Sequence, residues 1–234
     1  LIPARYGSER LQGKVLLAES GKFLIQHVYE RALCAQDVRT VLVLTDDDRV
    51  EEAVMSFGGR VRMTDPRHAS GTDRCAEAAR GLQEEVIVNV QGDEPLFEPA
   101  DLEALARAVA HDGADIATLG WPFEDEATLQ DPHAVKALVD PDGWALDFCR
   151  SAERARRLHI EQGATILHHV GIYAFRRDRL LEFADMTATP REEAERLEQL
   201  RAIESGWRIK VLPATVPAFG VDTREDYEAF LARL

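Results

Sequence analysis

The 234-residue chain reads as an α/β protein built on a doubly wound, mostly parallel sheet with an inserted β-rich lobe. Three observations predict this. Short apolar, β-rich runs alternate with helical spacing over roughly the first 120 residues, the pattern of consecutive βα units. Polar turns rich in Gly, Asp and cations follow the early apolar runs, where open α/β sheets gather their ligands. From Trp121 to about residue 175 the text changes to shorter strands separated by turn signals such as Asp140-Pro141-Asp142-Gly143, which marks the lobe.

Each element follows in order. The opening Leu1-Ile2-Pro3 is the end of an apolar strand, short for a central one, so a few residues are expected before it. Strands are predicted at 40–45, 61–63, 86–90 and 116–119, and helices at 22–36, 47–57, 70–83 and 99–111. The last of these carries Leu102, Leu105, Ala106 and Val109 on one face. Within the lobe, strands fall at 134–139, 144–148 and 166–175, with few good helix candidates. Thr189-Pro190-Arg191-Glu192 combines an N-cap, a first-turn proline and a returning Glu, and starts a helix to about Ser205 that Gly206 ends. A strand at 208–212 and a closing helix from Thr223 complete a single domain spanning 1–234, with the lobe at about 121–175.

Composition narrows the function. Net charge is −14, from 42 acidic and 28 basic residues, which argues against duplex nucleic acid or an anionic membrane as the main partner. Local cations can still hold a small polyanion, because distant charges are screened beyond about 8 Å. The three cysteines, Cys34, Cys75 and Cys149, are far apart and form no C-x-x-C pair, so no disulfide framework or zinc site is expected and a reducing cytoplasm fits. No apolar run is long enough to span or insert into a membrane.

Four segments carry candidate chemistry. The first turn, Pro3-Ala4-Arg5-Tyr6-Gly7-Ser8-Glu9-Arg10-Leu11-Gln12-Gly13-Lys14, can wrap a polyphosphate with backbone N–H groups near its glycines and with Arg5, Arg10 and Lys14. It is not a P-loop, since five residues separate Gly7 from Gly13 and Val15 follows the lysine. Nor does any G-x-G-x-x-G follow a strand. Val86-Ile87-Val88-Asn89-Val90-Gln91-Gly92-Asp93-Glu94-Pro95 ends a buried-type strand in a turn where Asp93 can hold Mg²⁺, although Gly, Asp and Pro also make ordinary turns. His68-Ala69-Ser70-Gly71-Thr72-Asp73-Arg74 opens a helix with Ser70 as a plausible cap. Gly220-Val221-Asp222-Thr223 places Asp222 just ahead of the last helix, outside the capping box of Thr223 and Asp226.

Together with HHVGIYAF and LEQLRAIESGWRI, these segments occur in one order and near one spacing along the chain. The ordered set resembles the 3-deoxy-manno-octulosonate (Kdo) cytidylyltransferases, also called CMP-Kdo synthetases, over nearly the whole length. The resemblance implies a nucleotide-diphospho-sugar transferase-like fold with a dimerisation lobe, and transfer of CMP from CTP to Kdo for lipopolysaccharide assembly. It implies Ala4, Arg5, Arg10, Lys14, Ser70, Gly71, Thr72, Arg74 and Gln91 on the nucleotide. By the same match Asp93 and Asp222 bind Mg²⁺, and Arg10, Lys14, Asp93 and Asp222 form the catalytic set. The resemblance further implies that His169, Tyr173, Glu198, Gln199 and, less directly, Arg201 face the sugar acid, and that the protein is a homodimer, while the cysteine usage leads one to expect it in the cytoplasm.

Two departures qualify the match. After Arg150 the family's Ser-Arg-x-x-Ile-Pro segment gives way to Ser151-Ala152-Glu153-Arg154, and Gln12 stands where a proline is usual. The first leaves room for a related acceptor such as a nonulosonic acid. A non-catalytic nucleotide-binding relative is a further alternative, opposed by the presence of both candidate metal carboxylates. Of His168 and His169, only one can face the site, because side chains alternate along a strand.

Overall fold

The computed structural model describes residues 1–8 and 10–234. In chain order the elements are β1 (Ile2–Pro3), α1 (Leu24–Leu33), β2 (Val43–Thr45), α2 (Asp48–Ser56), β3 (Val61–Met63), α3 (Gly71–Ala79), β4 (Val86–Asn89) and α4 (Pro99–His111). There follow β5 (Ile116–Pro122), α5 (Glu126–Gln130), β6 (Lys136–Val139), β7 (Ala145–Cys149), α6 (Ala152–Gln162), β8 (Thr165–Arg176) and α7 (Arg177–Asp185). The chain closes with α8 (Pro190–Glu195), α9 (Gln199–Glu204), β9 (Ile209–Pro213) and α10 (Arg224–Leu231).

The strands β1, β2 and β3 pair in parallel. Main-chain bonds then knit β1 to β4: Leu1 N donates to Val88 O (2.6 Å), Val90 N to Leu1 O (3.0 Å) and Gly92 N to Pro3 O (3.3 Å). One residue bonding to two that flank its neighbour is the parallel pattern. Strand β8 runs antiparallel between β4 and β5, and β9 lies parallel to β5. The sheet is therefore mostly parallel, with β8 the reversed strand. The first half of β8 exchanges its β4 partner for β6, which pairs in turn with β7.

Helices cover both faces because the buried strands are apolar on both. On one face Ile2, Val43, Val90, Ala117 and Ile172 pack with Val28, Leu102 and Leu105 from α1 and α4. On the other Leu44, Ile87, Ile116 and Phe175 pack with Cys75, Leu180, Phe183 and Leu200 from α3, α7 and α9. Burial pushes the Cys75 thiol up to about 12 and the Cys149 thiol to about 11, and all three cysteines are unpaired.

Two expectations are corrected. The 121–175 region holds an 11-residue helix, α6, capped by Ser151 and ended by Gly163 in the left-handed region (φ 68°). Its sequence is highly charged and buries only Ala152 and Ala155, so no apolar stripe announces it. The helix expected from Thr189 to Ser205 is two: α8 and α9, broken at Arg196 (φ 53°). Nine residues would span about 13.5 Å along one straight helix. The break instead folds α9 back so that the Nε of Arg201 donates to the buried Glu192 at 2.7 Å. The helices α5 and α7 fill stretches for which the sequence predicts no element.

Gly92 fixes the approach of the β4 turn to β1. A Cβ there would lie 2.9 Å from the Pro3 carbonyl oxygen and 3.1 Å from the Ala4 Cβ. Because backbone cannot yield as a side chain does, Gly92→Ala is expected to cost about 1–3 kcal/mol, read from urea unfolding midpoints; an unchanged midpoint would show that the junction is slack.

Candidate active site

The carboxyl ends of β1 and β4, the start of α3 and the segment ahead of α10 surround a cavity of about 450 Å³. A second cleft, about 530 Å³, surrounds Leu1 and the 82–88 segment at the opposite ends of these strands, away from where open sheets bind ligands.

The first turn is closed on itself. The carbonyl of Tyr6 accepts from the N–H of Gly13 (2.9 Å) and of Ser8 (3.0 Å). Gly13 takes φ 68°, and a Cβ there would lie 2.9 Å from the Tyr6 ring. Both facts require glycine. The opposite face of the loop is held by the Arg49 guanidinium, 3.4 Å from the Tyr6 ring centroid. Gly13 also starts the short 3₁₀ turn Lys14–Leu16, which turns the Lys14 side chain inward to 7% exposure.

There the Lys14 ammonium bonds to Asp93 and, at 2.8 Å, to Asp222 Oδ1. Arg10 reaches the other oxygen of Asp222 at 2.7 Å. The two aspartates approach because Val221 N donates to Asp93 O at 2.9 Å, tying the segment before α10 to the turn after β4. Asp226, in its capping box with Thr223, also accepts from the Asp222 N–H (3.1 Å). Burial alone would lower the Lys14 pKa, but the charges and hydrogen bonds of Asp93 and Asp222 carry it above the ordinary lysine value. Behind them Glu94, which the sequence presents only as a turn residue, is pushed up to about 8 by burial and by the charges of Asp93 and Asp222.

On the facing wall Ser70 caps α3 by accepting from Asp73 N (3.1 Å). Gly71 allows that helix to abut Pro3, to which a Cβ would come within 3.0 Å. Ala4, Arg5, Ser70, Gly71, Arg74 and Gln91 line the cavity. Thr72 is buried behind the wall. The Arg74 guanidinium is engaged with Asp46 (3.1 Å) and the Thr64 hydroxyl.

The expected sugar residues divide. Glu198 lines the cavity, and burial raises its carboxyl against the lowering effect of the nearby Thr72 and Ser70 hydroxyls. His169 and Tyr173 are neighbours on β8, ring centroids 5.3 Å apart, and burial together with the Glu198 and Glu94 charges raises the Tyr173 phenol. The Thr118 hydroxyl lies 2.9 Å from His169 Nε2, and the same hydroxyl bonds to the Ile172 carbonyl at 2.8 Å, stitching a register shift in β8. His168 points to the other face and stacks on Phe123 at 5.2 Å. Gln199 is buried with its Nε2 lacking a partner among the described residues. Arg201 is not brought to the cavity: Glu192 and the carbonyl of Met186 (3.1 Å) hold it, because α9 folds back on α8.

These features define a nucleotide-binding α/β protein of the transferase kind, and comparison gives the family. Residues 1–209 match the family described as Cytidylyltransferase, and the chain belongs to it. It is 46% identical to the 3-deoxy-manno-octulosonate cytidylyltransferase of Geobacter metallireducens, over 100% of this chain and 96% of that protein. The enzyme of the same name from Rhodopirellula baltica is 42% identical, over 100% and 97%. A solved CMP:2-keto-3-deoxy-manno-octonic acid synthetase complexed with CTP superposes with TM-score 0.90 at 42% identity, covering 99% of this chain and 95% of that one.

Burial depresses the His169 pKa to about 3, with a smaller contribution from His168. The unfolded chain, near 6.5, binds protons where the folded one does not. Stability is thus complete above about pH 6.5 and falls as pH drops toward 3. His169→Gln is expected to remove on the order of 2 kcal/mol of the difference between pH 7 and 4.5, measured by urea unfolding at the two pH values; an unaltered difference would show that His169 is not the group responsible.

Proposed function

We propose that the chain transfers CMP from CTP to Kdo, releasing pyrophosphate and forming CMP-Kdo for lipopolysaccharide assembly. The observation that carries this reading is the sharing of the Lys14 ammonium by Asp93 and Asp222 at the mouth of the cavity. Full-length identity to enzymes named for that reaction supports it.

The chemistry asks for little beyond placement. The anomeric hydroxyl of the sugar attacks the α-phosphorus in line and pyrophosphate leaves, so no covalent nucleophile is needed. The closed first turn presents Arg5, Arg10 and Lys14 to the phosphates, where their charge offsets the charge building on the leaving group. Ser70, Gly71, Arg74 and Gln91 shape the wall for base and ribose. Glu198, with His169 and Tyr173 behind it, seats the acceptor.

Mg²⁺ fits the donor set. Asp93 and Asp222 already converge on one cation, and no cluster of three or more His, Cys, Asp or Glu encloses that point among the described residues. Magnesium characteristically takes one or two carboxylates and completes its octahedron with water and phosphate oxygens. Bound there it supplies Lewis-acid polarisation of the phosphate and acidifies the attacking hydroxyl. The three unpaired cysteines fit a reducing cytoplasm, and among the described residues no helix is long and apolar enough to cross a membrane.

One observation favours a second acceptor. Where the resembling sequences have Ile-Pro, this chain begins α6, and Arg150 is bound to Glu195 and to the carbonyl of Pro132. A panel of CTP with Kdo and nonulosonic acids separates the two readings. Dimerisation is proposed through the same region, which exposes Leu146 and Ile160. Ile160→Asp is expected to shift the protein from dimer to monomer in sedimentation velocity; a monomeric parent sinks this point.

With CTP, Kdo and Mg²⁺ the parent is expected to release pyrophosphate, and chelation to abolish release. Asp93→Asn should lower turnover by about 10²–10³-fold while unfolding as cooperatively as the parent. Full turnover in that variant removes the metal role.

A further inference from the structure

Arg196 is the one residue other than glycine with positive φ (53°) among those described. Left-handed backbone is costly for a side chain with a Cβ, and it persists where the surroundings impose it, often at ligand sites. No local feature of the α8–α9 turn needs a side chain here, since glycine would make it with less strain. Yet the residue is arginine, and it lines the cavity beside Glu198.

The cavity's charges show what it could do there. Lys14 and Arg10 are held by Asp93 and Asp222, Arg74 by Asp46, and His68 pairs with Glu77. Arg5 and Arg196 are the lining cations without a carboxylate partner among the described residues. They belong to different segments. Arg5 follows β1, in the first turn, whereas Arg196 lies two residues before Glu198, whose charge acts on the Tyr173 phenol.

An acceptor sugar acid brings a carboxylate to the side of Glu198. Glu198, Gln199, Tyr173 and the neutral His169 offer it no positive charge, and Arg201 is committed to Glu192. Without another cation, the acceptor's carboxylate would face Glu198 uncompensated, a repulsive contact in a desolvated pocket. We infer that Arg196, held in its left-handed conformation at the α8–α9 break, is the residue that binds the acceptor's carboxylate and selects sugar acids over neutral sugars. The inference rests on the proposed reaction and adds to it a specificity-determining contact.

The test is Arg196→Gly, with Arg196→Lys beside it. Glycine keeps the backbone and removes the guanidinium, so its melting temperature should equal or exceed the parent's. The KM for Kdo should rise about 10–100-fold, the range for losing a charged hydrogen bond, while the KM for CTP stays within about twofold. Lysine should recover part of the loss. The methyl ester of Kdo should be as poor a substrate for the parent as for Arg196→Gly, because both lack one half of the pair. A parent that makes no product from CTP and Kdo defeats the reaction itself. A working parent with Arg196→Gly unchanged toward Kdo, or equally impaired toward CTP and Kdo, defeats only the assignment of Arg196.

Discussion

One ammonium group organises this protein's site. Lys14, drawn to low exposure by the turn that starts at Gly13, bonds to two carboxylates from segments far apart in the sequence. Buried charge is expensive unless paired, so Asp93 and Asp222 must both come to it. The arrangement is overdetermined: a backbone bond ties Val221 to Asp93, a capping box sets Asp222, and Gly92 lets the β4 turn rest on Pro3. Removal of either partner leaves a desolvated charge.

The sheet supplies the remaining geometry. Parallel strands bring the turns after β1 and β4 to one edge, and the start of α3 packs against them through Gly71 and Pro3. The reversed strand β8 carries His169 and Tyr173, and the charge of Glu198, which lines the cavity, acts on the Tyr173 phenol. Nucleotide and acceptor candidates thus come from opposite strand directions.

Much of this was legible in the residues. Alternating apolar runs and helical spacing marked the layers, and the polar turns after the runs at 1–3 and 86–90 marked the cavity, because strand ends are where side chains leave the core. What was not legible had no local signal. The helix α6 has almost no apolar stripe. The break at Arg196 contains neither Gly nor Pro, and the Glu192–Arg201 ion pair that accompanies it joins residues nine apart. Arg201 therefore reads as a ligand in sequence and is a brace in space, while Glu94 reads as a turn residue and lies buried beside two charges.

The twelve-residue β8 changes partners midway, first β6 and then β4. A single ribbon consequently joins the outer hairpin to the half of the strand paired with β4, with the Thr118 hydroxyl clamping the irregular step between them. Displacing the hairpin therefore strains one continuous backbone that also carries His169 and Tyr173.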